Sequence, residues 1–158
     1  MNKTISRYGL LASLIIVGLF ILTLSIGGVE MDYQLSETLG YLSMLLAMSM
    51  VFFGIKAYRD QENGGVISFG KAFQVGSLIA LFPSTAFGIY TIFFFMAYGE
   101  RWVAFAMENM TAEQRAQFEG NPGLFMNPFF QAGVMFLTVL VIGLLIALIS
   151  SWILKRNE

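Results

Sequence analysis

Residues 72–99 read AFQVGSLIALFPSTAFGIYTIFFFMAYG, and this stretch decides the fold class. It contains no charged side chain along its whole length. A helix needs about 20 apolar residues to cross a hydrocarbon core of roughly 30 Å, so this one is long enough to tilt or to project beyond the membrane. Because backbone groups in lipid must be satisfied within their own segment, and the run is too uniformly apolar for a barrel strand, we predict a transmembrane helix.

Three further charge-free stretches have the same character, at about residues 8–28, 38–55 and 128–154. The composition agrees, since 57% of the residues are hydrophobic and 12% are charged. A soluble domain carries about a quarter charged residues. We therefore predict an all-α integral membrane protein in which residues 1–158 form a single domain. It has four transmembrane helices in an antiparallel bundle, with an outer segment at about residues 100–127.

Lys and Arg are distributed unevenly between the segments that alternate along the chain. One side holds seven of them, Lys3, Arg7, Lys56, Arg59, Lys71, Lys155 and Arg156. The other side holds Arg101 and Arg115 among an excess of Asp and Glu. The positive-inside rule then predicts a multi-pass protein of the bacterial inner (cytoplasmic) membrane with both termini in the cytoplasm. The first apolar run exceeds the usual h-region of a signal peptide, so we expect it to stay uncleaved.

The chain contains no Cys and no His. Disulfides, thiol chemistry, typical zinc sites, histidine-ligated haem and Ser-His-Asp triads are therefore excluded. No charged residue lies inside a predicted span, which disfavours a proton-coupled pump. We expect no catalytic residue, no cofactor, no metal and no nucleic-acid partner. The lipid bilayer is the expected partner, and no small-molecule substrate is indicated.

The third span carries small residues at a four-residue spacing, namely Ala72, Gly76, Ala80, Ser84 and Gly88. Small side chains let helix backbones approach closely in lipid. We predict that this helix-packing face lies within the bundle, against the fourth or the first span. A homo-oligomer through the third helix and a moving element in transport are the alternatives. Pro83 lies beside the face and predicts a kink.

The connection between the second and third spans concentrates charge, in GIKAYRDQENGGVISFGKAF at residues 54–73. Gly64 and Gly65 predict a tight turn with positive φ, and Ser68 predicts a helix N-cap. Basic residues here complement the C-terminal dipole of the second helix and anionic lipid headgroups. The candidate contacts for a headgroup or a cytoplasmic partner are Lys56, Tyr58, Arg59 and Lys71, with structural anchoring as the alternative.

The outer segment between the third and fourth spans predicts a short extramembrane helix. Thr111 and Gln114 have the spacing of a capping box, and Gly120 is expected at the C′ position. Phe118 is expected to pack onto the bundle. A structured, solvated lid is the expected role, and a docking surface for a basic partner or a divalent cation is the alternative.

The charged connection also resembles a known family. Tyr58-Arg59, Gly64-Gly65 and ISFGKAF at residues 67–73, followed by Gly76, are similar to a motif of DUF4199, a bacterial family of small four-helix membrane proteins of unknown function. Length, span number and motif position match over essentially the whole chain. The resemblance implies a four-helix membrane fold and brings no substrate, cofactor or catalytic residue.

Three functional classes follow from these observations. The leading hypothesis is a non-enzymatic structural or accessory membrane component. The first alternative is a small oligomeric transporter or channel subunit. The second alternative is an interfacial lipid-binding or lipid-modifying protein that uses Arg59, Asp60 and Glu62.

Overall fold

The computed structural model describes residues 3–156, which are almost entirely helical. The helices are α1 Lys3–Gly27, α2 Tyr33–Glu62, α3 Phe69–Asn109, α4 Ala112–Gly120, α5 Pro122–Phe125 and α6 Pro128–Leu154. Four of them, α1, α2, α3 and α6, are long and apolar enough to cross a membrane. Within residues 3–156 the only extended pairing is a single antiparallel bridge between Ile67 and Arg156. The prediction of an all-helical chain with four membrane-spanning candidates is therefore confirmed.

The second helix begins earlier than the charge pattern indicated. Asp32 caps α2, and its carboxylate accepts a hydrogen bond of 2.9 Å from the backbone N–H of Leu35. The connection from α1 is thus a short turn, which Gly28 closes with a φ of 67°. Glu37, which directly precedes the predicted second span, lies more than one turn inside the helix. The start of α2 is therefore set by the Asp32 cap and not by the last charged residue before the apolar run. A helix can contain charged side chains wherever they reach water.

Local signals around the third helix are confirmed. Gly64 and Gly65 have φ values of 64° and 87°, the left-handed region that a residue without a Cβ adopts freely. Ser68 caps α3 by accepting from the N–H of Lys71. The helix continues as α-helix on both sides of Pro83. Asn127 caps α6, a signal that the sequence reasoning did not use, and Pro128 occupies its first turn.

The short helix α4 has the predicted start and a different end. Thr111 and Gln114 form both hydrogen bonds of the capping box. Gly120 was expected at C′, and this was wrong: it is the last helical residue, and Asn121 is the C-cap. Asn121 ends the helix without a left-handed residue because its N–H bonds the carbonyl of Phe118. The Phe118 side chain is buried against Phe95 and Val103.

The four long helices form one bundle. The most extensive contact joins α3 and α6, while α1 packs on α2 and α3, and α2 also reaches α6. Large fully buried side chains at the centre come from all four helices: Ile16, Met48, Val51, Ile55, Ile79 and Val139. The many exposed leucine, isoleucine and phenylalanine side chains lie on the outside of the bundle. That distribution is expected of helices that face lipid rather than water.

The two ends of the bundle differ in character. At one end, called the basic end (residues 3–7, 56–71 and 154–156), Thr4 donates a hydrogen bond to Glu62, and the backbones of Ile67 and Arg156 exchange two bonds of 3.0 Å. The other, called the acidic end, comprises residues 28–37 and 99–127. There the guanidinium of Arg101 lies 3.0 Å from the carboxylate of Glu30. These contacts join segments that are remote in sequence.

Candidate functional site

The four candidate residues of the basic end, three cations and one tyrosine, do not converge on one point. The Nζ atom of Lys71 lies 5.8 Å from the ring centre of Tyr58, within cation–π range. Lys71 also donates to the side-chain oxygen of Gln74 at 3.2 Å. Lys56 lies exposed on α2. The structure thus brings Tyr58 and Lys71 together and leaves Lys56 at the surface.

Arg59 acts as a link between α2 and α6. Its Nε atom lies 2.6 Å from the carboxylate of Asp60, and its Nη1 atom donates to the carbonyl of Leu154 at 3.4 Å. The hydrogen bond from Arg59 holds the pKa of Asp60 below its ordinary value, and the charges of Arg59, Lys56 and Arg156 add to that effect. The same bond raises the pKa of Arg59. A cation at the last carbonyls of α6 also complements that helix dipole.

The small-residue face of α3 lies against α6 and α2. A Cβ on Gly76 would lie 2.8 Å from the Cβ of Ala147 and 2.8 Å from the Cδ1 of Ile55. Near the other end of the face, Gly88 would meet the carbonyl oxygen of Ala132 at 3.4 Å. Every member of the face is buried: Ala72, Gly76, Ala80, Ser84 and Gly88. Because α6 and α2 cover this face within one chain, a homo-oligomer through helix α3 would need the remaining surface of α3.

A cavity of about 320 Å³ opens in the half of the bundle nearer the acidic end. It is bounded by the last turns of α1, the first turns of α2, the second half of α3 and two residues of α6. Nine of its twenty lining residues are aromatic, compared with 15% of the whole chain. This enrichment sets the cavity apart from the small-residue packing nearer the basic end.

The aromatic wall of the cavity comes mainly from α3. Rings follow one another along the helix and lie within contact distance, with Tyr90 and Phe94 centred 6.0 Å apart and Phe95 and Trp102 centred 5.5 Å apart. Phe20 of α1 adds to this wall, and its ring is centred 4.5 Å from that of Phe87. Edge and offset contacts of this kind are favourable and hold the rings in place.

Polar groups of the lining comprise threonine, serine and tyrosine hydroxyls, the indole N–H of Trp102 and the carboxylate of Glu37. Thr23, Thr91 and Thr138 each donate their hydroxyl hydrogen to a backbone carbonyl four residues earlier, which leaves the oxygens free only to accept. Glu37 is the one charged residue of the lining, and no Lys or Arg contributes to it. Among residues 3–156, Glu37 takes part in no ion pair.

Packing explains why the cavity lies in this half. Nearer the basic end, close contacts between helices involve glycine and alanine, as where Gly54 meets Ile79 and Tyr8. In the other half, phenylalanine, tyrosine and tryptophan make up nine of the twenty residues that line the cavity. Rigid rings fill such a space incompletely, so an open volume remains.

The sequence reasoning did not identify this cavity. It placed residues 87–99 in a uniformly apolar span and residues 100–105 in the outer segment, and it began the second span directly after Glu37. The available signal was the density of aromatic residues from Phe87 to Phe105, together with Asp32 as an N-cap that places Glu37 within a helix. Neither signal says which helix faces meet.

Comparison with known proteins gives one match. A family model described as "Protein of unknown function (DUF4199)" matches residues 7–156. No curated protein and no solved structure matches the chain.

Proposed function

Since the chain belongs to the DUF4199 family of proteins of unknown function, we propose its role from its own geometry: a non-enzymatic accessory membrane protein that binds a lipophilic molecule in the aromatic cavity. The observation that carries this proposal is an open volume of about 320 Å³ lined by nine aromatic residues. Small-molecule sites are typically concave, mostly apolar clefts of about 300–1,000 Å³ with a few placed polar groups. The cavity fits that description.

The proposal includes a topology. We infer an antiparallel bundle in a bacterial inner membrane, with both termini cytoplasmic and α4 outside the membrane. The excess of Lys and Arg at the basic end supports this orientation. Contacts of Thr4 with Glu62 and of Ile67 with Arg156 support an arrangement in which ends of all four long helices meet at the basic end. The cavity would then open in the outer half of the membrane.

The residues of the lipid-modifying alternative are engaged in structural contacts. Arg59 pairs with Asp60 and with the end of α6, and Glu62 accepts from Thr4. Such contacts anchor the ends of helices. They support a structural role for the basic end.

The transporter or channel alternative receives less support than binding. Buried hydroxyls of Ser43, Ser84 and Thr91 each donate to a carbonyl of their own helix. A polar path through the bundle would need hydroxyls that point toward one another or toward water. The bound molecule is therefore proposed to stay with the protein rather than to pass through it.

The test is to purify the protein in native lipid and identify co-purifying small amphiphiles by mass spectrometry. Gly40→Leu places a large side chain in the cavity, because Gly40 lines it and a Cβ there meets its nearest neighbour, Phe20, at an ordinary 3.5 Å. The matched control is Gly18→Leu, since a Cβ on Gly18 meets nothing within 4 Å.

We expect one class of amphiphile to be enriched with the wild type and with Gly18→Leu, and to be lost with Gly40→Leu. Equal recovery from both variants would show that the ligand binds elsewhere. Recovery of bulk lipid alone from the wild type would contradict the proposal.

A further inference from the structure

The charges around the aromatic cavity select the kind of molecule that it can hold. Glu37, an exposed residue, is the one charged residue of the lining, which it shares with aromatic rings and threonine oxygens. Aromatic faces attract cations through the ring quadrupole, and a carboxylate attracts them directly. An anion in the same position would be repelled by Glu37 and would meet no Lys or Arg in the lining.

The cations of the acidic end are occupied elsewhere. Arg101 pairs with Glu30 at 3.0 Å. Arg115 donates to the carbonyl of Met107 at 2.6 Å, at the C-terminal end of α3. Neither residue lines the cavity, so neither neutralises Glu37 there. The carboxylate is left available for a charge that a ligand would bring.

The threonine hydroxyls of the lining are also suited to a positively charged ligand. The three threonines of the lining use their hydrogens on their own helices, with donor–acceptor distances of 2.8–2.9 Å. Their oxygens can accept from a ligand, and an ammonium group supplies donors and no acceptor. The threonine acceptors, the aromatic lining and the one carboxylate each suit a cation, while the serine and tyrosine hydroxyls can serve either charge.

We propose that the cavity binds a cationic amphiphile, with an ammonium or similar cationic group near Glu37 and an apolar body against the rings of α3. This inference rests on the proposed binding function and adds the charge of the ligand to it. The cation can come from a free lipophilic amine or from the ammonium of a lipid headgroup. Both share the chemistry that the cavity recognises.

Two ions of equal shape and opposite charge give the test. Tetraphenylphosphonium and tetraphenylborate are both apolar and aromatic, and they differ in the sign of the charge. Binding of each to the purified protein in a non-ionic detergent is measured by quenching of tryptophan fluorescence, since Trp102 lines the cavity. Because the chain has two tryptophans, Trp152→Phe gives a background in which only Trp102 reports.

We expect the cation to bind more tightly than the anion. Glu37→Gln is expected to weaken binding of the cation by about tenfold and to leave binding of the anion unchanged or slightly tighter. Glu119→Gln removes one negative charge from the acidic end without touching the cavity lining, and it should change neither affinity by more than about twofold. Glu37→Lys is expected to reverse the preference.

The outcomes distinguish the proposed charge of the ligand from the proposed binding function itself. Binding of neither ion to the wild type overturns both. Equal binding of the two ions, or tighter binding of the borate, overturns the charge selection and leaves a neutral cavity ligand. Competition by a primary alkylamine but not by phosphatidylethanolamine would assign the cation to a free amine, and the converse would assign it to a lipid headgroup. The comparison of the two ions in the wild type remains decisive even where a Glu37 variant fails to fold.

Discussion

Gly143 on α6 and Ala80 on α3 meet at the centre of the bundle, where a Cβ on Gly143 would lie 2.7 Å from the Cβ of Ala80. The sulfur of Met48 on α2 lies 3.1 Å from the same point. Three helices thus converge at a position that has room for a hydrogen atom and no more. Close approach of this kind allows van der Waals packing between helices. In lipid this packing drives association, because the hydrophobic effect does not draw helices together.

Gly143→Ala is therefore expected to destabilise the bundle, although alanine favours a helix. Overpacking a tight contact costs about 1–3 kcal/mol. The matched control is Gly133→Ala on the same helix, because a Cβ there meets nothing within 4 Å. Thermal unfolding in detergent, followed by circular dichroism, should show a lower midpoint for Gly143→Ala and an equal or higher midpoint for Gly133→Ala. Equal midpoints for both variants would show that α3 and α6 do not approach this closely.

The ion pair of Arg59 and Asp60 predicts a weak dependence of stability on acid. Because the pKa of Asp60 lies below its ordinary value of 3.8 in the fold, the pair stabilises the protein above that value. This stabilisation is lost as the pH falls through the lowered pKa. Asp60 is exposed and Arg59 is partly buried, so the effect is small and declines with added salt.

The measurement is the difference in melting midpoint between the wild type and Asp60→Asn. We expect a small positive difference between about pH 5 and pH 7 that shrinks to zero in stronger acid. A difference that persists unchanged in strong acid would show that the carboxylate is not what stabilises the wild type.

Phe118 is expected to hold α4 against the bundle. Its side chain is buried with Phe95 and Val103, and its ring is centred 5.7 Å from that of Phe125. Phe118→Ala removes most of that contact, and such truncations cost about 3–5 kcal/mol where a side chain is fully enclosed. Hydrogen exchange should accelerate in residues 112–120 while α1 and α2 stay protected. The control is Gln117→Ala, an exposed neighbour on the same helix. Unchanged exchange in Phe118→Ala would mean that α4 does not depend on this residue.

The proposed topology can be measured by cysteine labelling, since the natural chain has no Cys and gives no background. Gln61→Cys and Gln117→Cys are a matched pair of exposed positions, one at the basic end and one on α4. A membrane-impermeant maleimide should label position 117 in spheroplasts and position 61 only after lysis. Labelling of both from outside, or the reverse pattern, would contradict the orientation proposed from the basic residues.

The sequence by itself determined the four apolar helices, the turn at Gly64 and Gly65, and the caps at Ser68 and Thr111. These features are local, because the length of an apolar run and the hydrogen bond of a cap involve residues a few positions apart. Its error at Gly120 was local too, since this residue is helical rather than C′. The α2 helix also extends beyond the predicted span, so that Glu37 lies within it.

Only the tertiary structure decided which faces meet. The contact of Gly143 with Ala80, the link from Arg59 to the end of α6 and the cavity beside Glu37 join residues from helices far apart in the chain. Along each helix, a lipid-facing phenylalanine and a cavity-lining phenylalanine look alike, because lipid and protein interior are almost equally apolar. Only the packing of the four helices against one another determines which phenylalanines line the cavity and which lie on the outer surface.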